Sequence, residues 1–223
     1  MTELWAFLGP ILVSDALNPV LLGILIYALG ARRPYLTSLS LVAGHTVTYF
    51  VCGIGLAVGY DKLSDRLANP KPYDFAIEVV IGIAFVWLAW YSTRPEQKEA
   101  RKETGPRDPG PVKAFVTGAV VNLIGIPFAV PYFAALNQIV KSDLDWLGAI
   151  LVLAVYNLGY ALPFLGLIGL RLVLGKRAEP ILDKINHWID RGAGVLMPLI
   201  FLVLGIVLIV DAVKYFVTGV PLF

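Results

Sequence analysis

Apolar residues run along this chain in long blocks separated by short polar stretches. The blocks are Leu4–Leu29, Leu36–Tyr60, Tyr73–Tyr91, Val112–Val140, Trp146–Leu174 and Gly192–Phe216. A helix needs about 20 mostly apolar residues to cross a bilayer, so the pattern predicts six spans. Prolines interrupt it in telling places. The first block has Pro10 near its start and Pro19 at its centre. The fourth contains Asn122, Gly125, Pro127 and Pro131. Neither reads as one straight helix, because an interior proline removes a backbone donor and clashes with the preceding turn.

The polar stretches are distinct from one another. Ala31-Arg32-Arg33-Pro34 closes the first block, and 61–72 and Lys141–Asp145 read as loops rich in turn signals. Residues 93–111 form the longest polar stretch and read as a cytoplasmic linker. They divide the chain into 1–92 and 112–223. Residues 178–191 place Ile181, Leu182, Ile185, Trp188 and Ile189 at helical spacing among charged residues. That predicts an amphipathic helix lying on the membrane surface before the last span. Gly55 and Gly59 have the small-xxx-small spacing that lets helix backbones approach, within one bundle or in a homodimer.

Composition agrees with the pattern. Hydrophobic residues make up 58% of the chain and charged ones 15%, where soluble domains hold about 25% charged. An integral all-α membrane protein follows. The net charge of +2 gives no reason to expect a nucleic-acid partner; membrane lipids are the expected surroundings. The positions of the charges carry more. The loops after blocks one, three and five hold most of the 18 Lys and Arg, including Arg32, Arg33, Arg94, Arg101, Lys176 and Arg177. The positive-inside rule then puts both termini outside a bacterial or archaeal cytoplasmic membrane. The first apolar run is too long for a signal peptide and is expected to stay as a span. Cys52 is the only cysteine, so no internal disulfide or dithiol relay is available.

The two halves look like copies. Asn18-Pro19-Val20 breaks the first block and Ile126-Pro127-Phe128 the fourth. The second block of each half carries polar and aromatic groups at mid-depth: His45 and Tyr49 in one, Tyr156, Asn157 and Tyr160 in the other. A unit with an odd number of spans repeats in inverted orientation. Inverted repeats with helix breaks at matching positions point to a transporter with its site at the midplane.

Candidate chemistry gathers at those breaks. Asp15 lies at the centre of a span, where a charge costs at least about 2.5 kcal/mol. It can pair with a cationic substrate, carry a proton, or cap the helix fragment after the break. Asn18 has the same capping alternative. Pro19, Pro127 and Pro131 are expected to bare backbone groups toward a path. His45 is the histidine expected at membrane depth, a partner for Asp15 in a proton relay if their helices meet. Tyr49, Asn122, Tyr156, Asn157 and Tyr160 line a cavity or bridge helices. Glu78 and Asp211 lie nearer span ends. No phosphate-binding loop and no nucleophile–base set are found, so neither an enzyme nor a cofactor or metal is expected.

Asp15-Ala16-Leu17-Asn18-Pro19 before an apolar helix resembles the first helix of the lysine-exporter (LysE) superfamily. That superfamily includes the CcdA/DsbD thiol-electron carriers, and Tyr156–Leu165 resembles a CcdA helix. Val20 and Phe128 stand where those carriers have cysteines, so thiol chemistry does not carry over. Ile126–Leu136 and Leu182–Trp188 resemble the peptidoglycolipid-addressing (GAP, or Sap) family. The resemblance implies two inverted three-helix repeats and delivery of a cell-envelope glycolipid. Elsewhere in the superfamily it implies export of amino acids or metal cations. A CcdA-like scaffold working with partner membrane proteins is the other implied role.

Overall fold

The computed structural model describes residues 2–60, 62, 70–93, 110–126 and 129–222, without the side chains of 92, 176, 186 and 188–197. Every regular element among them is helical. In order these are α1 (Thr2–Ala16), α2 (Pro19–Leu29), α3 (Pro34–Val58), α4 (Pro72–Ser92), α5 (Gly110–Gly125), α6 (Val130–Val140), α7 (Trp146–Leu174) and α8 (Glu179–Thr218). A short 3-10 turn, Gly175–Ala178, precedes α8. Helices α3, α4, α7 and the Pro198–Thr218 part of α8 are long and apolar enough to cross a membrane. Two bent pairs, α1 with α2 at 55° and α5 with α6 at 79°, bring the number of spans to as many as six. The protein is therefore a multi-pass membrane protein built from helices. The 94–109 part of the expected linker lies outside the described residues.

Proline and short polar side chains set the helix starts. A proline in the first turn opens α2, α3, α4 and α6, where its missing N–H has no partner to lose. Asp145 caps α7 by accepting from the Gly148 N–H at 2.9 Å.

The helices fall into two compact units: 1–61 with 106–186, and 62–105 with 187–223. The first unit holds the two bent pairs, α3, α7 and the start of α8. Its burial follows helical spacing. On α7 the buried positions are Val152, Leu153, Tyr156, Asn157, Tyr160, Ala161, Phe164 and Ile168, while Leu151, Val155, Leu158 and Leu162 are exposed. The outward stripe is aliphatic and the inward one carries the hydroxyls and amides. That is the arrangement lipid demands, since a bilayer cannot hydrate an outward polar group.

Close backbone approach, which lipid-embedded helices use for adhesion, occurs between α3 and α5. A Cβ on Gly44 would meet the Phe115 carbonyl oxygen at 2.0 Å, and one on Gly118 the Leu41 oxygen at 2.1 Å. The Gly55–Gly59 pair makes no such approach to another helix of the chain. A Cβ on Gly55 meets nothing within 4 Å, and one on Gly59 meets only backbone of its own helix. The spacing was right for contact, but the pair lies off the stripe of α3 that faces its neighbours.

The second unit joins α4 to the later part of α8. Gly82 and Gly205 are set against each other, each Cβ position under 3 Å from the other's carbonyl oxygen. Phe75 stacks on Tyr215 at 3.7 Å between ring centres.

One expected element is redrawn. The amphipathic stretch 178–191 is not a separate surface helix: α8 runs unbroken from Glu179 to Thr218. Ala178 and Leu182 are buried in the core of the first unit. Polarity along the chain marked a change of surroundings, but the helix runs on through Gly192 and Gly194.

Candidate functional site: an acid held by tyrosines at a helix break

The site is built where α1 stops. Pro19 has no N–H to donate to the carbonyl one turn back, so α1 ends at Ala16 and the chain re-enters as α2 at Pro19. Asn18 is the N-cap of α2. Its Oδ1 accepts from the backbone N–H of Val20 at 3.1 Å and of Leu21 at 3.0 Å. Its Nδ2 donates to the Tyr160 hydroxyl at 3.2 Å. The capping reading of Asn18 is thus the one seen, combined with a bond across to α7.

Asp15 does not cap. It occupies the last turn of α1 and is buried. The Tyr49 hydroxyl lies 3.0 Å from Oδ1 and 3.1 Å from Oδ2, and the Tyr156 hydroxyl donates to Oδ2 at 2.9 Å. Three helices therefore meet on one carboxyl: α1 supplies the acid, and α3 and α7 supply the donors. A buried acid needs such partners, because a carboxyl left without them costs far more than the bonds return. No Lys or Arg ion pair to it is seen among the described residues; Arg171 pairs instead with Glu179 at 3.0 Å.

Tyr132 of α6 completes the cluster. Its hydroxyl donates to the Tyr49 carbonyl at 2.7 Å, and its ring stacks on Tyr49 at 3.7 Å. Gly53 makes room, since a Cβ there would sit 2.0 Å from that hydroxyl. Asn157 donates to the Tyr132 hydroxyl at 3.3 Å and to the Leu153 carbonyl at 2.9 Å. His45 joins through its ring: stacked on Tyr160 at 5.5 Å and edge-on to Tyr49 at 5.7 Å. Among the described residues no hydrogen bond links His45 to Asp15, and Tyr49 touches both. The Asn122 amide lies 3.4–3.5 Å from the two His45 ring nitrogens.

Of the residues singled out in the sequence, Asp15, Asn18, Pro19, His45, Tyr49, Asn122, Tyr156, Asn157 and Tyr160 lie in or against this cluster. Pro131 is in the first turn of α6, immediately before Tyr132. Pro127 lies outside the described residues. Sequence reasoning passed over Tyr132, Gly44, Gly53 and Gly118. A tyrosine directly after a break proline was a usable signal for the first. The glycines had none, since their role depends on which helix lies opposite.

Glu78 and Asp211 lie in the second unit. Asp211 accepts from the Leu222 N–H. The further acid that a cation carrier would need beside Asp15 and His45 is not among the described buried residues of the first unit. No group of three or more metal-binding side chains forms among the described residues.

Residues 10–214 match the family described as Sap, sulfolipid-1-addressing protein. The chain belongs to the Sap family. The match runs from Pro10 to Lys214 and so takes in both helix breaks and every member of the Asp15 cluster. No curated protein and no solved structure matches the chain. Membership of the Sap family links the chain to the addressing of a sulfolipid or glycolipid in a membrane protein.

Proposed function

We propose that this protein delivers a cell-envelope glycolipid, of the sulfolipid kind that names its family, across the cytoplasmic membrane. It does so by alternating access around the two broken helices, as a LysE-superfamily transporter of two inverted three-helix repeats. The reading rests on one observation above others: within a Sap-family chain, the buried acid sits at a helix break and is held there by tyrosines from two neighbouring helices. Broken helices at a midplane polar site are how secondary transporters present backbone and side-chain groups to cargo. In this reading both termini lie outside, on the side opposite the loops richest in Lys and Arg.

A lipid transporter needs less of an open chamber than a carrier of soluble solutes. The acyl chains remain in the bilayer, and the hydroxyls and sulfate of the head need only donors and acceptors along the crossing. Tyr49, Tyr156, Tyr160 and Asn157 supply both. Thiol-based electron transfer is not part of the reading, because Val20 and Phe128 carry no sulfur.

The test is a deletion strain of the source organism, with surface and whole-cell lipids extracted separately. Loss of one glycolipid from the surface, with its retention inside, is the expected result. Unchanged lipid extracts together with co-purification of a membrane complex would favour the CcdA-like scaffold. Unchanged lipids with altered export of amino acids or metal cations would favour a small-solute exporter.

A further inference from the structure

We infer that Asp15 is a proton-binding site, loaded from water at Oδ1 while Tyr156 keeps its bond to Oδ2. This goes beyond the lipid reading and does not rest on it.

The two carboxyl oxygens are not equivalent. Oδ2 accepts from both Tyr49 and Tyr156, at 3.1 Å and 2.9 Å, whereas Oδ1 is reached by Tyr49 alone at 3.0 Å. One hydroxyl hydrogen cannot satisfy both oxygens fully, so Oδ1 is the less satisfied of the pair. A proton added there makes Oδ1 a donor. It then bonds to the Tyr49 oxygen, whose own O–H is released to another acceptor. No covalent bond other than O–H changes, and the proton is the only species that enters.

Size excludes larger cations. Each ring around the carboxyl is packed against another: Tyr49 on Tyr132 at 3.7 Å and Tyr160 on His45 at 5.5 Å. Tyr132 and Tyr156 have no exposed surface, and Tyr160 is 1% exposed. A metal ion or ammonium head would have to displace hydroxyls already bonded to both oxygens. A proton needs only the Tyr49 O–H to turn away from Oδ1. The groups facing Asp15 are tyrosines from α3, α6 and α7, with His45 and Asn18 behind them. None of these carries a lysine or arginine charge that would hold the acid permanently ionised.

Water is called for at the edge of the cluster. Asn157 Oδ1 and Asn122 Oδ1 are buried and have no partner among the described residues. Asn157 is 2% exposed and Asn122 3%. Buried acceptors of this kind are commonly satisfied by ordered water. Asn157 already holds the Tyr132 hydroxyl, so water at its oxygen places an exchangeable proton source beside the tyrosines.

The experiment is infrared difference spectroscopy on the purified full chain in lipid nanodiscs, stepped between mildly acidic and mildly basic pH without cargo. A protonated-carboxyl C=O band should appear on acidification in the wild type and be missing in Asp15→Asn. In Tyr156→Phe, which keeps the acid, the same band should appear at a shifted frequency because its Oδ2 partner is gone. That second variant keeps the test decisive if Asp15→Asn fails to fold. A spectrum with no band that responds to either variant would overturn the proposal. So would a band abolished by sodium at constant pH, which would make Asp15 a metal-cation site. Proton binding with unaltered surface lipids in the deletion strain would leave this inference standing and remove the lipid reading.

Discussion

The two helix breaks are held in different ways. At the first, side chains do the holding. Asn18 caps α2, Pro19 starts it, and Asp15 ties α1 to α3 and α7 through tyrosine hydroxyls. At the second, Ala129 precedes α6 with no side-chain cap, and no acid is present in α5 or α6. Its leading arm, α5, is fixed by backbone contact with α3 at Gly44 and Gly118. Hydrogen bonds to a carboxyl can be exchanged at small net cost, because each lost bond is replaced by another. Backbone packing against glycine has no such alternatives. The first break is thus suited to change partners during a cycle, and the second to serve as its frame.

Substitutions that break this contrast should differ in size and kind. The largest effect belongs to the frame. Gly44→Val or Gly118→Val forces side-chain atoms into a facing carbonyl and should destabilise the protein by about 3 kcal/mol. Thermal unfolding in detergent measures it. A loss no larger than that of Gly55→Val, which enters open space, would show that α3 and α5 do not touch there.

Tyr156→Phe removes a donor from Asp15 and should cost about 2 kcal/mol, as for hydrogen bonds to charged groups. The same unfolding assay reports it.

Asn18→Ala should cost about 1 kcal/mol through the lost cap. The converse change sharpens the contrast most gently. Ala129→Ser supplies the cap that the second break lacks and should gain about 0.5 kcal/mol. If the two substitutions shifted stability equally in the same direction, the breaks would not differ in the way described.

Much of this architecture was legible in the chain. Hydropathy and proline placement gave the ends of α7 at Trp146 and Leu174, the turn at Lys141–Asp145 and both bent pairs. Asp15, Tyr49 and Tyr156 stood out because polar groups at membrane depth need a partner. The partner itself was not legible. That Asp15 bonds tyrosines rather than capping α2 depends on how α1, α3 and α7 are brought together, which no local pattern records. The same holds for Gly53, which matters only because the Tyr132 hydroxyl arrives there. The continuity of α8 was missed for a related reason. Side-chain polarity reports surroundings, while helix continuity is decided by backbone bonds.

The most direct test of the central claim is complementation of the deletion strain with Asp15→Asn and Asp15→Glu, at matched membrane levels of protein, followed by extraction of surface lipids. Asp15→Asn keeps the shape of the side chain but cannot take up and release a proton, and is predicted to leave the surface glycolipid at the deletion level. Asp15→Glu keeps the acid and is predicted to restore part of it. Full restoration by Asp15→Asn would contradict the assignment of Asp15 as the working centre of the protein.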